Sequence, residues 1–169
     1  MNTNSEIPKN TIAFLALCKE YCVAVEGVSD TELPVFIDAM LRLLPRLYIS
    51  ATDIAQSDAD DYYITQALTE DYYDNVRRRI ECLMGEDDSY LEVFVDDMKY
   101  SDTPICASIA EGLADLFQVF YNILATIADD AAEPEVVRGV VSAARDDFYS
   151  YWSRILCNTL RAINDIKCR

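Results

Sequence analysis

The side chains best equipped for chemistry in this sequence are acids and tyrosines set in repeated blocks. Asp60-Asp61-Tyr62-Tyr63, Glu70-Asp71-Tyr72-Tyr73 and Asp146-Asp147-Phe148-Tyr149 each place two acids before two aromatic rings. Carboxylates gathered from such blocks could hold Mg²⁺, Mn²⁺ or Ca²⁺, because hard cations take several oxygen ligands. The EF-hand pattern is missing: Asp58-Ala59-Asp60 has neither the glycine nor the terminal glutamate in register. A simpler account suffices for most of these residues. Acids at helix starts complement the helix dipole, and a tyrosine buries its ring while keeping its hydroxyl wet. No metal and no cofactor are assigned on these grounds.

A second constellation is basic. Arg42 and Arg46 are four apart, share one helix face, and flank Tyr48, so they could clamp a carboxylate or phosphate. Glu111 and Asp115 are their natural acidic counterparts on a later helix, either as an internal salt-bridge network or as the far wall of a ligand pocket. Pro45, between the arginines, frees the Leu41 carbonyl at the same place. Trp152 completes the candidate ligand-binding set of Arg42, Arg46, Tyr48, Glu111, Asp115 and Trp152, although a lone Trp is more often core. No catalytic residue is assigned. Cys18 and Cys22 share a helix face, but nothing nearby completes a four-ligand site, so they read as small core residues.

Several classes fall away. Histidine is absent, which removes Ser-His and Cys-His catalysis, HExxH zinc sites, Glu-x-x-His di-iron sites and His-ligated haem. GxxxxGK[ST], GxGxxG and GxSxG are missing too. With 14 basic against 30 acidic residues the net charge is −16. Such a field repels phosphate backbones and anionic membrane surfaces and attracts basic partners. Ten of the 14 cations are arginine, which suits fixed carboxylate pairing. Arg77-Arg78-Arg79 needs no anion to explain it, because the helix dipole favours cations towards a C-terminus.

Those residues have to be positioned by helices. A chain of 169 residues is the size of one domain, and four Gly with five Pro are too few turn residues for a sandwich or barrel. Residues 1–10 are polar and expected to fray, with 11–169 as a single helical domain. Residues 11–26 are apolar almost all round and predict a buried helix, capped by Asn10 or Thr11 and followed by Gly27. Ser29 and Glu32 have capping-box spacing for a second helix, with Pro34 in its first turn and a kink at Pro45. An acidic loop over 53–68 precedes a third helix, capped by Thr69 and ended by Gly85. Residues 86–104 read as irregular, with a short extended stretch near 90–95. Thr103-Pro104 then opens the fourth helix, and Pro134 opens the last. The expectation is an all-α, single-domain bundle of about five helices.

Arg42-Leu43-Leu44-Pro45-Arg46-Leu47-Tyr48, and Ser108-Ile109-Ala110-Glu111 with Leu113-Ala114-Asp115-Leu116, resemble a bacterial family, number 5063 in the domain-of-unknown-function series. Trp152 and the 90–94 segment fit the same pattern. The resemblance covers roughly residues 14–163 and implies an all-helical fold with no assigned activity. The family places histidines around the last-helix Trp, where this chain has Tyr151, Ser153 and Leu156.

The favoured expectation is a non-enzymatic, acidic interaction module that binds a basic protein, without direct contact to nucleic acid or membrane. The alternatives are a small-molecule or metal-dependent enzyme built around Arg42, Arg46, Tyr48 and Asp115, and a structural homo-oligomer. The longest uncharged run that matters, 116–128, is too short to span a bilayer, and no secretory signal is evident. A cytoplasmic location with free thiols is the default that follows.

Overall fold

In the computed structural model the described residues are 6–56, 62–92, 99–100, 103–129 and 133–169. Helix α1, Lys9–Glu26, starts two residues earlier than its sequence suggests. The Pro8 carbonyl accepts the Ile12 N–H, and the Asn10 amide instead reaches the Asp53 carbonyl at the end of the next helix. One face of α1 is buried through Phe14, Cys18, Tyr21, Cys22 and Val25, whereas Ile12 and Val23 on the other face are exposed. The helix is therefore half-buried rather than enclosed.

A short 3-10 turn, Val28–Asp30, leads into α2, Leu33–Thr52. The predicted Ser29/Glu32 capping box does not form. Glu32 occupies the cap position without a side-chain bond, and the Thr31 hydroxyl donates to the Gly27 carbonyl. Pro34 lies in the first turn as expected, and α2 continues past Pro45. Helix α3, Glu70–Met84, follows its sequence signals closely. Thr69 Oγ1 accepts the Tyr72 N–H, and Gly85 ends the helix at φ +57°, a conformation that costs glycine little.

The segment after α3 differs from expectation at its far end. A 3-10 turn, Gly85–Asp88, feeds β1, Ser89–Leu91, which pairs antiparallel with β2, Cys106–Ser108. Residues 93–95 of the expected extended stretch lie outside the described residues. Thr103-Pro104 does not open a helix, because the residues that follow are spent on the ladder. Helix α4, Ile109–Asp129, begins only after β2. Its N-terminus is held twice: Ser108 Oγ accepts the Glu111 N–H at 3.0 Å, and buried Asp88 accepts the Ala110 N–H at 2.7 Å.

Helix α4 packs against α1, α3 and the last rod of the chain, while α2 packs against α1 and α6. That rod is α5, Pro134–Asp147, a π-helical turn, Phe148–Trp152, and α6, Ser153–Cys168. The single last helix of the sequence reading is thus continuous but carries a wider turn, in which the Ser153 N–H bonds to the Phe148 carbonyl. Phe14, Phe120, Phe148 and Trp152 form a fully buried aromatic cluster where α1, α4 and the rod meet. Buried Tyr21 donates to the Leu113 carbonyl at 2.8 Å, so its hydroxyl is satisfied inside the core.

Candidate functional site

The six residues singled out from sequence do not converge. Arg46 pairs with Glu20 of α1 at 3.3 Å, with both side chains about half exposed. Arg42 is exposed, on the side of α2 where Asp38 meets Lys167 at 2.7 Å. That lysine bond holds Asp38 below the usual carboxylate range, and Arg42 adds to the effect. Tyr48 lays its ring edge-on against Phe148. Glu111 belongs to the capped first turn of α4. Asp115 accepts the Tyr73 hydroxyl at 2.7 Å, facing α3 rather than α2. Trp152 is fully buried and donates its indole N–H to the Ala144 carbonyl at 3.0 Å. The helix-two arginines and helix-four acids form neither a shared network nor a shared pocket.

The acid-aromatic blocks fare differently. A cleft of about 420 Å³ opens between the 62–66 segment, α4 and the π-helical end of α5. Tyr62 and Tyr63 of one block line it together with Asp146 and Asp147 of another. Tyr151, Gln66, Gln118 and Asn122 supply further polar lining, and no basic side chain is among the described lining residues. Asp60 and Asp61 lie outside the described residues.

The wall at 62–68 is a strap tied across α4. Asn122 Oδ1 accepts the N–H groups of Ala67 and Leu68, its Nδ2 donates to Gln66 Oε1, and Thr126 Oγ1 accepts the Thr65 N–H. Tyr62 rests on α5 at Gly139, where any β-carbon would overlap its ring. Strap and helix therefore meet at a position that only glycine leaves open.

The cleft carries two adjacent carboxylates, of which Asp146 is paired with Arg145 and Asp147 is in none of the described ion pairs. Partial burial raises the Asp147 carboxyl above the ordinary value, and Asp146 beside it adds to the rise. Burial likewise raises the Tyr151 phenol, with Asp115 contributing. Asp115 is raised by burial, opposed by its Tyr73 bond and reinforced by Glu111. At the rim, the Arg145 guanidinium lies 5.3 Å from the centre of the Tyr149 ring and 3.5 Å from Asp146. π-Helical turns of this kind are frequent at functional sites.

Other cavities lie elsewhere on the fold, one of about 600 Å³ being a shallow space lined by Leu41 and Pro45 of α2 and by Cys157, Leu160, Arg161 and Asn164 of α6. The space of about 540 Å³ between β1 and the end of α6 is bridged by Arg169, which pairs with Asp87 and Asp165. Among the described residues no three Cys, Asp or Glu side chains are grouped as a metal ion would need, and no helix is long and apolar enough to cross a membrane. All six cysteines are free thiols. Cys18 and Cys22 are buried, and burial together with Glu26 pushes the Cys22 thiol up to about 12.

Fold and cleft together define an all-helical bundle with one small hairpin and an acidic, tyrosine-lined depression at a π-helical turn. The chain belongs to the family described as Domain of unknown function (DUF5063), whose pattern it matches over residues 5–169. It is also similar to the crystal structure of protein BF1032 from Bacteroides fragilis, with a TM-score of 0.79 and 26% identity. That match covers 94% of this chain and 92% of the other. No curated protein matches the chain.

Sequence reasoning identified the blocks but not their meeting. It missed Gln66, Gln118 and Asn122 altogether, because isolated amides carry no spacing signature. Gly139 was legible only as a glycine within a helix, a residue whose retention usually has a packing reason.

Proposed function

We propose that this chain is a protein-interaction module that binds a basic partner through its acidic, tyrosine-bearing surface. The observation that carries the reading is the cleft itself, where tyrosines and carboxylates from two separate blocks line one concavity with no basic side chain among the described lining residues. Tyrosine presents a large rigid contact area at low conformational cost, and clustered carboxylates steer a cationic partner towards it. A net charge of −16 extends the attraction beyond the cleft and disfavours nucleic acid as the direct ligand. The arrangement favours binding over turnover, since the arginines and the raised-pKa Asp115 stand on different faces.

The test is a tagged pull-down from native-host lysate, eluted in salt steps, followed by titration of the purified partner against the full chain. Screening shortens from about 10 Å at 0.1 M to about 3 Å at 1 M ionic strength, so a partner held by charge is released across that range. Affinity falling steeply with salt supports the reading. Salt-independent retention, or an empty eluate, overturns it.

A further inference from the structure

We infer that the cleft between the 62–66 strap and the π-helical turn seats a single arginine side chain of the partner protein. The inference rests on the interaction-module reading and specifies which group of the partner enters.

Shape comes first. About 420 Å³ lies at the small end of the range for ligand pockets, room for one long side chain and the backbone that carries it. Its wall and rim offer flat aromatic faces. Tyr63 is 79% exposed and Tyr151 is about half exposed, so both rings are free to take a planar group. Charge comes second. Asp147 has no cation paired with it among the described ion pairs, while Asp146 beside it adds a second carboxylate to the same lining.

Arginine fits these two conditions better than lysine. Its guanidinium is planar, stacks on aromatic rings, is weakly hydrated and can bond a carboxylate through two N–H groups. An ammonium is a compact, strongly hydrated point charge and would leave the ring faces unused. The protein already shows the preferred geometry on its own surface. At the edge of the same cleft Arg145 lies over the Tyr149 ring while reaching Asp146. A partner arginine between the cleft tyrosines and Asp147 would repeat that combination of ring and carboxylate.

The probe is the peptide acetyl-Gly-Ser-Arg-Ser-Gly-amide, titrated into the full chain and followed by amide chemical shifts. Matched peptides carry lysine, or citrulline, the uncharged isostere of arginine. The expected result is shifts centred on 62–66 and 146–151, with the citrulline peptide at least about tenfold weaker and lysine weaker than arginine. Asp147→Asn should weaken the arginine peptide about tenfold, and Tyr63→Ala a few-fold, as expected for an exposed cation-aromatic contact. Both positions are exposed, and circular dichroism confirms that the variants fold. Equal affinity for the arginine and citrulline peptides, or shifts away from the cleft, overturns the assignment. If the salt-released partner still binds Asp147→Asn unchanged, the cleft assignment falls while the acidic-surface reading stands. Loss of all salt-sensitive binding in the native chain removes both.

Discussion

Asn122 is the residue on which the cleft's geometry most depends, and replacing it with alanine separates two ways the strap can fail. Its side chain is 3% exposed and makes three bonds, accepting from Ala67 at 3.0 Å and Leu68 at 2.9 Å and donating to Gln66 at 3.1 Å. Asn122→Ala removes all three. The Leu68 amide sits beneath a buried side chain, so leaving it unpaired costs about 1–3 kcal/mol. The Ala67 amide is partly reached by solvent and adds about 1 kcal/mol. A strap that stays in place therefore loses about 2–4 kcal/mol, read as a lower urea midpoint. A strap that lifts re-forms those bonds with water. The global loss is then smaller, and amide exchange over 62–68 accelerates while α4 stays protected.

Asn122→Asp is the companion variant. It keeps the acceptor for both N–H groups, and exposed Gln66 can rotate its amide to donate, so most of the exchange protection should return. An Asn122→Ala protein with a stability change below about 0.5 kcal/mol and unaltered exchange over 62–68 would refute the strap argument.

Four further outcomes follow from the packing and the charges. Gly112→Ala drives a β-carbon into Thr159 Oγ1 where α4 crosses α6, and should cost about 1–3 kcal/mol in urea unfolding, with much of it recovered in the Gly112→Ala/Thr159→Ala double variant. Trp152→Phe strips the Ala144 carbonyl of its indole donor and thins the aromatic cluster, for a loss of about 2–3 kcal/mol by far-ultraviolet circular dichroism, the only tryptophan being gone. Arg46→Ala breaks a half-exposed ion pair and should shift the unfolding midpoint by less than about 0.5 kcal/mol. For Asp115 the folded carboxyl lies above its ordinary value, so the native state binds the proton more tightly. Its stabilising contribution is complete below the ordinary carboxyl range and is lost as pH rises through the folded value. Asp115→Asn, which still accepts from Tyr73, should match or exceed the parent at about pH 7 and show a flatter stability profile as pH rises above the ordinary carboxyl range.

Local chemistry made much of the fold legible. Thr69, the acids behind it and Gly85 bracket α3 because capping, dipole and left-handed backbone all act within a few residues. The start of α4 shows the limit of that logic. Pro104 has the look of a first-turn proline, yet Ser108 and Glu111 stand in true capping-box spacing four residues on, and the competing local signals are decided by β1, which draws Cys106–Ser108 into a ladder. For the site the limit is more severe. Spacing of four tells which residues share a face, not which helix lies opposite. Because α2 rests on α1 and α6, Arg46 meets Glu20 while the Arg42 side of α2 meets Lys167; because α4 faces α3, Asp115 meets Tyr73.

The π-helical turn does have a trace in the sequence, and the cleft depends on it. Val140, Ala144, Phe148, Trp152 and Leu156 are all buried and all four apart. A regular helix advances about 100° per residue, so each step of four drifts about 40°, and four steps would carry the buried face about 160° round the rod. One wide turn inside the run absorbs about a residue's worth of that drift. The insertion keeps Ala144, Phe148, Trp152 and Leu156 in one core and lets the Trp152 indole reach the Ala144 carbonyl. It also leaves Asp146, Asp147 and Tyr151 on the outer side together, against Gln118 and Asn122 of α4. The demand that sets this turn is core packing, and the acidic cleft is its outward consequence. A site of this origin carries no motif, because the residues that create it are the apolar ones behind it.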